Sequence, residues 1–204
     1  MKTKLIILTA LSAVILLFPD VIYSQQKYSL AVYYKHLTSK NEHYRRYYPL
    51  GFGSTVSRNI SDKLALTAGF EYSRYHDEYV NRLAPVEYIS EETFNESQYS
   101  LIAGLAFSFL ENKLSIRGGG DIVSTNFINR GEISRYLKST GELDIYTKST
   151  ENVWDLGIKL KVDLQYNLTE NLGILIQPGF IHYFFSDARE SDFFCSSAGV
   201  VYRF

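Results

Sequence analysis

Residues 154–168 alternate apolar and polar without a break. Trp154, Leu156, Ile158, Leu160, Val162, Leu164, Tyr166 and Leu168 fall on one side, and Asp155, Gly157, Lys159, Lys161, Asp163, Gln165 and Asn167 on the other. A period of 3.6 would scatter the lysines among the leucines, so the segment predicts a strand with one apolar and one polar face. The pattern recurs along the chain. Tyr28–Leu37 sets Leu30, Val32 and Tyr34 against Ser29, Ala31, Tyr33 and Lys35, and Leu50–Arg58 sets Leu50, Phe52 and Val56 against Gly51, Gly53, Thr55 and Ser57. Leu64–Tyr75, Gln98–Phe109, Leu114–Ser124 and Leu172–Phe184 behave likewise, and with the C-terminal segment they bring the expected total to eight strands.

The last strand carries the alternation to the end of the chain. Phe204, Tyr202, Val200 and Ala198 share one face, and Arg203, Val201, Gly199 and Ser197 share the other. An apolar face that includes the final aromatic suits a strand closing a barrel in a membrane, with the ring at the bilayer interface and no free edge. Two segments depart from plain alternation. Gly118-Gly119-Gly120 predicts a kink or bulge over which neighbouring side chains lean, because a phosphate-cradling loop needs a following helix and none is visible. Pro178 has no N–H for a ladder and predicts a bulge in the seventh strand.

The connections alternate in length. Residues 59–63, 111–113 and 169–171 are short polar turns, each followed by Leu, whereas 38–49, 76–97, 125–152 and 185–192 are long. Short turns on one rim, long loops on the other and both chain ends on the short side are the layout of a bacterial outer-membrane barrel. The expected fold class is therefore all-β: an eight-stranded antiparallel up-and-down transmembrane β-barrel with short periplasmic turns and long extracellular loops.

Met1-Lys2-Thr3-Lys4, the apolar run Leu5 to Phe18, the break at Pro19-Asp20 and the small Ser24 before Gln25 predict a secretory signal peptide over 1–24 and a barrel domain over 25–204. That run is short for a membrane-crossing helix and no second one exists, so with a mean hydropathy of −0.12 a helical membrane protein is excluded. A net charge of −1 makes no electrostatic case for nucleic acid. The single cysteine, Cys195, excludes an intramolecular disulfide framework. The 17 tyrosines and 13 phenylalanines are enough to furnish an aromatic girdle at each interface.

The leader, the alternating strands, the short turns and the terminal Val200-x-Tyr202-x-Phe204 resemble the small outer-membrane β-barrel superfamily, which includes OmpA-type transmembrane domains, OmpX-like barrels and PorT-like barrel proteins. The resemblance covers the whole mature chain and is one of periodicity. It implies that Val200, Tyr202 and Phe204 form an insertion signal read by the barrel-insertion machinery, with outer-membrane lipid as the surrounding partner. The peptidoglycan-binding domain that follows OmpA-type barrels is absent from the sequence, so the resemblance implies no wall-anchoring role.

Three classes of function fit such a chain. A structural or adhesive barrel would meet an extracellular partner through its loops, where Tyr44, Tyr47 and Tyr48 flank Arg45 and Arg46, and where Tyr79 and Tyr88 follow. Tyrosine and arginine favour recognition, although aromatics near strand ends also serve as interfacial girdle. An outer-membrane enzyme would use His182 with Ser186 and Glu190, or His76 with Asp77; neither spacing matches a hydrolytic constellation, and His182 reads as a rim residue. A secreted lipocalin-like barrel, which the sequons at Asn59, Asn95 and Asn167 would suit, predicts the reverse polarity, with apolar residues inside. The four histidines lack metal-ligand spacing, and Asp77, Glu78, Glu87, Glu91 and Glu92 read as a solvated acidic loop, so no metal or cofactor is expected.

The polar faces also predict what fills the barrel. Lys35, Glu71, Asp121 and Lys161 lie at similar depth facing inward, with Arg117 and Asp163 below them and Lys159 above. An eight-stranded barrel is only wide enough for side chains. Mixed signs at one depth predict a lumen polar network of ion pairs and hydrogen bonds, whereas a small-solute channel of defined selectivity, the alternative, would show rings of one sign.

Overall fold

The computed structural model describes residues 28–39, 47–81, 88–185 and 191–204. β1 (Tyr28–Ser39) is followed by β2, which Pro49 divides into Tyr47–Tyr48 and Leu50–Asn59. β3 (Leu64–Asn81), β4 (Tyr88–Glu111), β5 (Leu114–Leu137), β6 (Leu143–Asn167), β7 (Leu172–Tyr183) and β8 (Asp192–Arg203) complete the set. Every strand is antiparallel to its neighbours in sequence, and β1 also pairs with β8, from Ser29↔Arg203 to Ser39↔Phe193. The sheet thus closes as the eight-stranded up-and-down barrel expected from the alternation. Tyr28 N–H donates to Phe204 O at 3.2 Å and Phe204 N–H to Tyr28 O at 3.0 Å, which carries closure to the final residue. The leader expected over 1–24 lies outside the described residues.

The faces follow the sequence pattern. On β6 the apolar set from Trp154 to Leu168 points outward and is exposed, Leu160 by 58%, while Asp155, Lys159, Lys161 and Gln165 are buried inside the ring. Val200, Tyr202 and Phe204 likewise face out. Hydroxyl side chains fold back to close two of the short turns. Ser61 Oγ accepts from Leu64 N–H at 3.2 Å, and Thr169 Oγ1 from Leu172 N–H at 3.0 Å.

Three local irregularities differ from expectation. The register of β1 with β2 slips by one residue at Pro49: Tyr34 faces Phe52, yet Leu37 faces Tyr48. Pro49 and Leu50 both lie on the exposed side, and Tyr48, expected in a loop, turns wholly into the lumen. Pro178 leaves the register intact: pairing of β6 with β7 skips Val162 and Asp163 and resumes in step at Leu164↔Ile176. The glycine triplet pairs regularly with Ala106 and its neighbours, and the bulge falls across from it, at Phe109 between Ser108 and Leu110. The Phe109 ring covers Gly118, and Lys161 Cε would be 3.1 Å from a Cβ at Gly119.

The segments read as long loops over 76–97 and 125–152 are mostly strand. β3 and β4 pair out to Asn81↔Ser90, β4 and β5 to Tyr88↔Leu137, and β5 and β6 to Tyr136↔Leu143. Four strands therefore continue past the barrel as one protruding sheet, and Tyr79 and Tyr88 belong to it. β7 meets β6 only as far as Gly157↔Tyr183, so the outer part of β6 is an edge.

Candidate functional site

The lumen is filled, and its centre is a carboxylate held by two lysines. β1, β3 and β6 aim Lys35, Glu71 and Lys159 inward from three sides of the ring. Lys35 Nζ lies 2.6 Å from Glu71 Oε2 and Lys159 Nζ 2.5 Å from Oε1. Tyr33 Oη donates to Oε1 at 2.8 Å and shares a 3.1 Å hydrogen bond with Thr55 Oγ1. Gly53 makes this possible, since a Cβ there would clash with the edge of the Tyr33 ring. Lys159 also donates to Gln177 Oε1 at 3.2 Å, and Gln177 Nε2 to Asp163 Oδ1 at 2.7 Å. A second pair sits alongside: Lys161 Nζ is 2.6 Å from Asp121 Oδ2, while Thr67 Oγ1 donates to Asp121 Oδ1 at 2.8 Å. The side chains of Lys35, Glu71, Lys159, Lys161 and Asp121 are all at most 2% exposed.

The seven residues read as lumen-facing from sequence are therefore distributed as follows. Lys35, Glu71 and Lys159 converge on one carboxylate, Lys161 pairs with Asp121, and Asp163 joins the first group through Gln177. Arg117 stands directly across the ladder from Asp163, nearer the short-turn rim.

Toward the rim of the protruding sheet the filling changes character. Leu37, Tyr48, Ile102, Val123, Ile181, Tyr183, Phe193 and Cys195 form one buried cluster, with Tyr75 and Phe127 against it. The rings of Tyr183 and Phe193 meet edge-on at 5.8 Å, and Phe127 meets Tyr183 at 5.2 Å. Polar contacts stitch the cluster to the walls: Tyr48 Oη donates to Glu96 Oε1 at 2.5 Å, and Thr125 Oγ1 bonds both Ser100 Oγ at 2.8 Å and Tyr183 Oη at 3.0 Å. This apolar lid was not anticipated from sequence. Its signal was the odd-numbered set Leu37, Ile181, Tyr183 and Phe193, which by parity shares a face with Lys35 and Ser197.

Both candidate rim histidines hydrogen-bond to neighbouring side chains. His182 lies on the outward face, 2.7 Å from Asp192 on β8 and beside Phe184. His76 bonds Asn95 Oδ1 at 2.7 Å and Glu78 Oε1 at 3.1 Å on the protruding sheet. Among the described residues neither imidazole has a hydroxyl within hydrogen-bonding reach; Ser186 and Glu190 lie outside them, as do Tyr44, Arg45, Arg46 and Glu87. No group of three metal-ligating side chains occurs among the described residues. On the protruding sheet Lys148 Nζ is 2.6 Å from Glu132 Oε1. That contact holds the Glu132 carboxyl below its ordinary value and the Lys148 ammonium above its own.

Comparison with solved structures places this geometry. The chain is similar to neisserial surface protein A, at 15% identity, with 89% of this chain and all of that one covered and a TM-score of 0.55. It is similar to a major outer-membrane protein of Thermus thermophilus, at 12% identity, with 86% and 99% covered and a TM-score of 0.54. The fold is that of the small eight-stranded outer-membrane barrels. A looser likeness links this barrel to Ail, the attachment invasion locus protein of Yersinia pestis, at 14% identity, 89% and 100% coverage and a TM-score of 0.48. In sequence, neither a family model nor a curated protein matches the chain.

Proposed function

We propose that the chain is a non-enzymatic integral protein of the bacterial outer membrane, a plugged barrel whose protruding sheet and long connections serve structural or recognition roles at the cell surface. The outward belt carries this reading. Leu160, Ile122, Phe52, Ile176 and Val200, on five of the eight strands, are each more than half exposed, and Val32, Leu66 and Leu105 extend the belt across the other three, while Lys35, Glu71 and Lys159 are sealed inside. A continuous exposed apolar belt of this kind opposes solution in water and suits hydrocarbon, and the polarity is the reverse of a lipocalin's. Aromatics bracket the belt: Tyr166, Tyr202, Phe204 and Phe107 at the short-turn side, and Phe52, Tyr72, Tyr99 and Trp154 at the other.

The plug rests on two stacked obstructions, the ion-paired layer around Glu71 and the aromatic lid of Tyr48, Tyr183 and Phe193. The non-enzymatic reading is supported by His76 and His182 having no hydroxyl within hydrogen-bonding reach among the described residues. In this reading residues 1–24 direct export, and Val200, Tyr202 and Phe204 present the closing strand to the insertion machinery. The partner of the surface sheet would be extracellular. Two measurements test the whole. Protein extracted from outer-membrane fractions should run faster on an unboiled detergent gel than after boiling, and the purified barrel in planar bilayers should give no stable single-channel steps. A chain that fractionates as soluble overturns the placement, and a reproducible large conductance overturns the plug.

A further inference from the structure

On the outward surface of β3, β4 and β5 the apolar belt ends abruptly. Phe52, Tyr72, Tyr99 and Phe70 make a continuous run of rings, with centroids 5.3, 5.1 and 6.5 Å apart. On the same face of β3, the next outward positions after Tyr72 are Arg74 and His76. The rung through His76 continues to Asn95 on β4 and Arg130 on β5, and the rung through Arg74 reaches Ser97. Arg74 and Arg130 are exposed, and neither guanidinium has a carboxylate within ion-pairing distance among the described residues. Of the described acids on this face, Glu78 is held by His76 and Glu132 by Lys148, and Glu91 lies two outward positions beyond Asn95. Just inside the belt a second feature points to a ligand. Asn126 stands on the rung between Tyr99 and Trp154, facing outward and only 7% exposed, and its amide oxygen accepts no hydrogen bond.

We propose that this face, Arg74 and Arg130 above the Tyr99–Asn126–Trp154 rung, binds the phosphorylated headgroup of an outer-leaflet lipid. Two arginines with no carboxylate partner among the described residues, at the level where headgroups begin, are complementary to phosphate, which guanidinium grips through paired charge-assisted hydrogen bonds. The aromatic pair flanks the acyl-proximal part of the headgroup, and the Asn126 oxygen takes one of its hydroxyl or amide protons. His76 and Asn95 extend the polar shelf away from the bilayer. Among the described residues the opposite side of the ring offers no such set: near the same rim its outward positions include His182, which Asp192 already holds. The site rests on the outer-membrane placement proposed above.

Trp154, the only tryptophan in the chain, reports on it directly. The full-length mature barrel would be folded into nanodiscs of neutral phosphatidylcholine and titrated with diphosphoryl lipid A, with dephosphorylated lipid A and with inorganic phosphate, following Trp154 emission. A saturable shift is expected with diphosphoryl lipid A alone. The double variant Arg74→Gln/Arg130→Gln, still heat-modifiable on a gel, should need about tenfold more lipid, as loss of two charge-assisted contacts implies. Arg135→Gln, whose guanidinium is engaged by Asp144, should titrate like the wild type. Equal saturation by inorganic phosphate would make the site one for soluble anions and overturn the lipid source. A folded double variant that titrates like wild type, or a folded barrel giving no shift, overturns the site alone. A chain that never folds into the discs overturns the site together with the membrane reading.

Discussion

Replacing Glu71 by alanine is the sharpest perturbation of the lumen. It leaves the ammonium groups of Lys35 and Lys159, 1% and 0% exposed, facing one another across the space the carboxylate filled. Lys159 keeps Gln177 as an acceptor, a neutral one. Removing one partner of a buried ion pair costs about 3–5 kcal/mol through the stranded charge. Here two like charges are stranded together, and at about 5 Å with an effective dielectric of about 20 their repulsion adds about 3 kcal/mol. Inward water and side-chain movement relieve part of this, so a net loss of about 4–6 kcal/mol is expected, a large share of the roughly 5–15 kcal/mol available to a domain. The assay is guanidinium unfolding of the barrel in lipid vesicles, read by Trp154 emission and extrapolated linearly to zero denaturant. The triple variant Glu71→Leu/Lys35→Met/Lys159→Met removes all three charges of the central cluster at once and should recover to within about 1–2 kcal/mol of wild type, since apolar isosteres commonly replace buried ion pairs at little cost. Glu71→Ala losing less than about 1 kcal/mol would refute the reasoning. So would a triple variant no more stable than the single one.

The outward face of β6 should distinguish charge from bulk. Leu160→Arg places a charge in the belt and should cost about 2–4 kcal/mol in the same vesicles, whereas Leu160→Phe should be mild; equal behaviour of the two would remove the belt from hydrocarbon. Truncation of Phe204 removes its ring from the interface and its two backbone bonds with Tyr28 from the seam. The variant should be exported yet accumulate unfolded between the membranes, and normal levels of heat-modifiable protein in outer-membrane fractions would count against an insertion role for the terminal residues.

Where each strand has one face in the belt and one in the lumen, period two is written plainly, and β6 from Trp154 to Leu168 could be assigned from sequence residue by residue. Past the rim that contrast is gone. Both faces of the protruding sheet meet water, so Glu91-Glu92-Thr93 and Lys148-Ser149-Thr150-Glu151 carry no alternation and read as loop, although ladder pairing holds them as strand. Tyr48 was hidden for another reason: one bulged proline flips the parity of everything before it. The inward charges were readable as a set but not as partners. Depth in a tilted barrel depends on the stagger of the ladders, which determines that Lys159 meets Glu71 while Lys161, two residues on, meets Asp121.

The seam joining β1 to β8 has a consequence for the order of events in the cell. Its pairs link the first described strand with the last, so no closed ring exists until both have been made and brought together. Until then β1 has one edge on β2 and the other unpaired, and pairing across most of the sequence is the slowest kind to find. Before closure the open edges of β1 and β8 are templates for wrong pairing, so the interval before the seam forms is the vulnerable one. Mutations that slow closure without weakening the finished barrel would be felt there, as loss of chains before closure and not as instability of the closed ring.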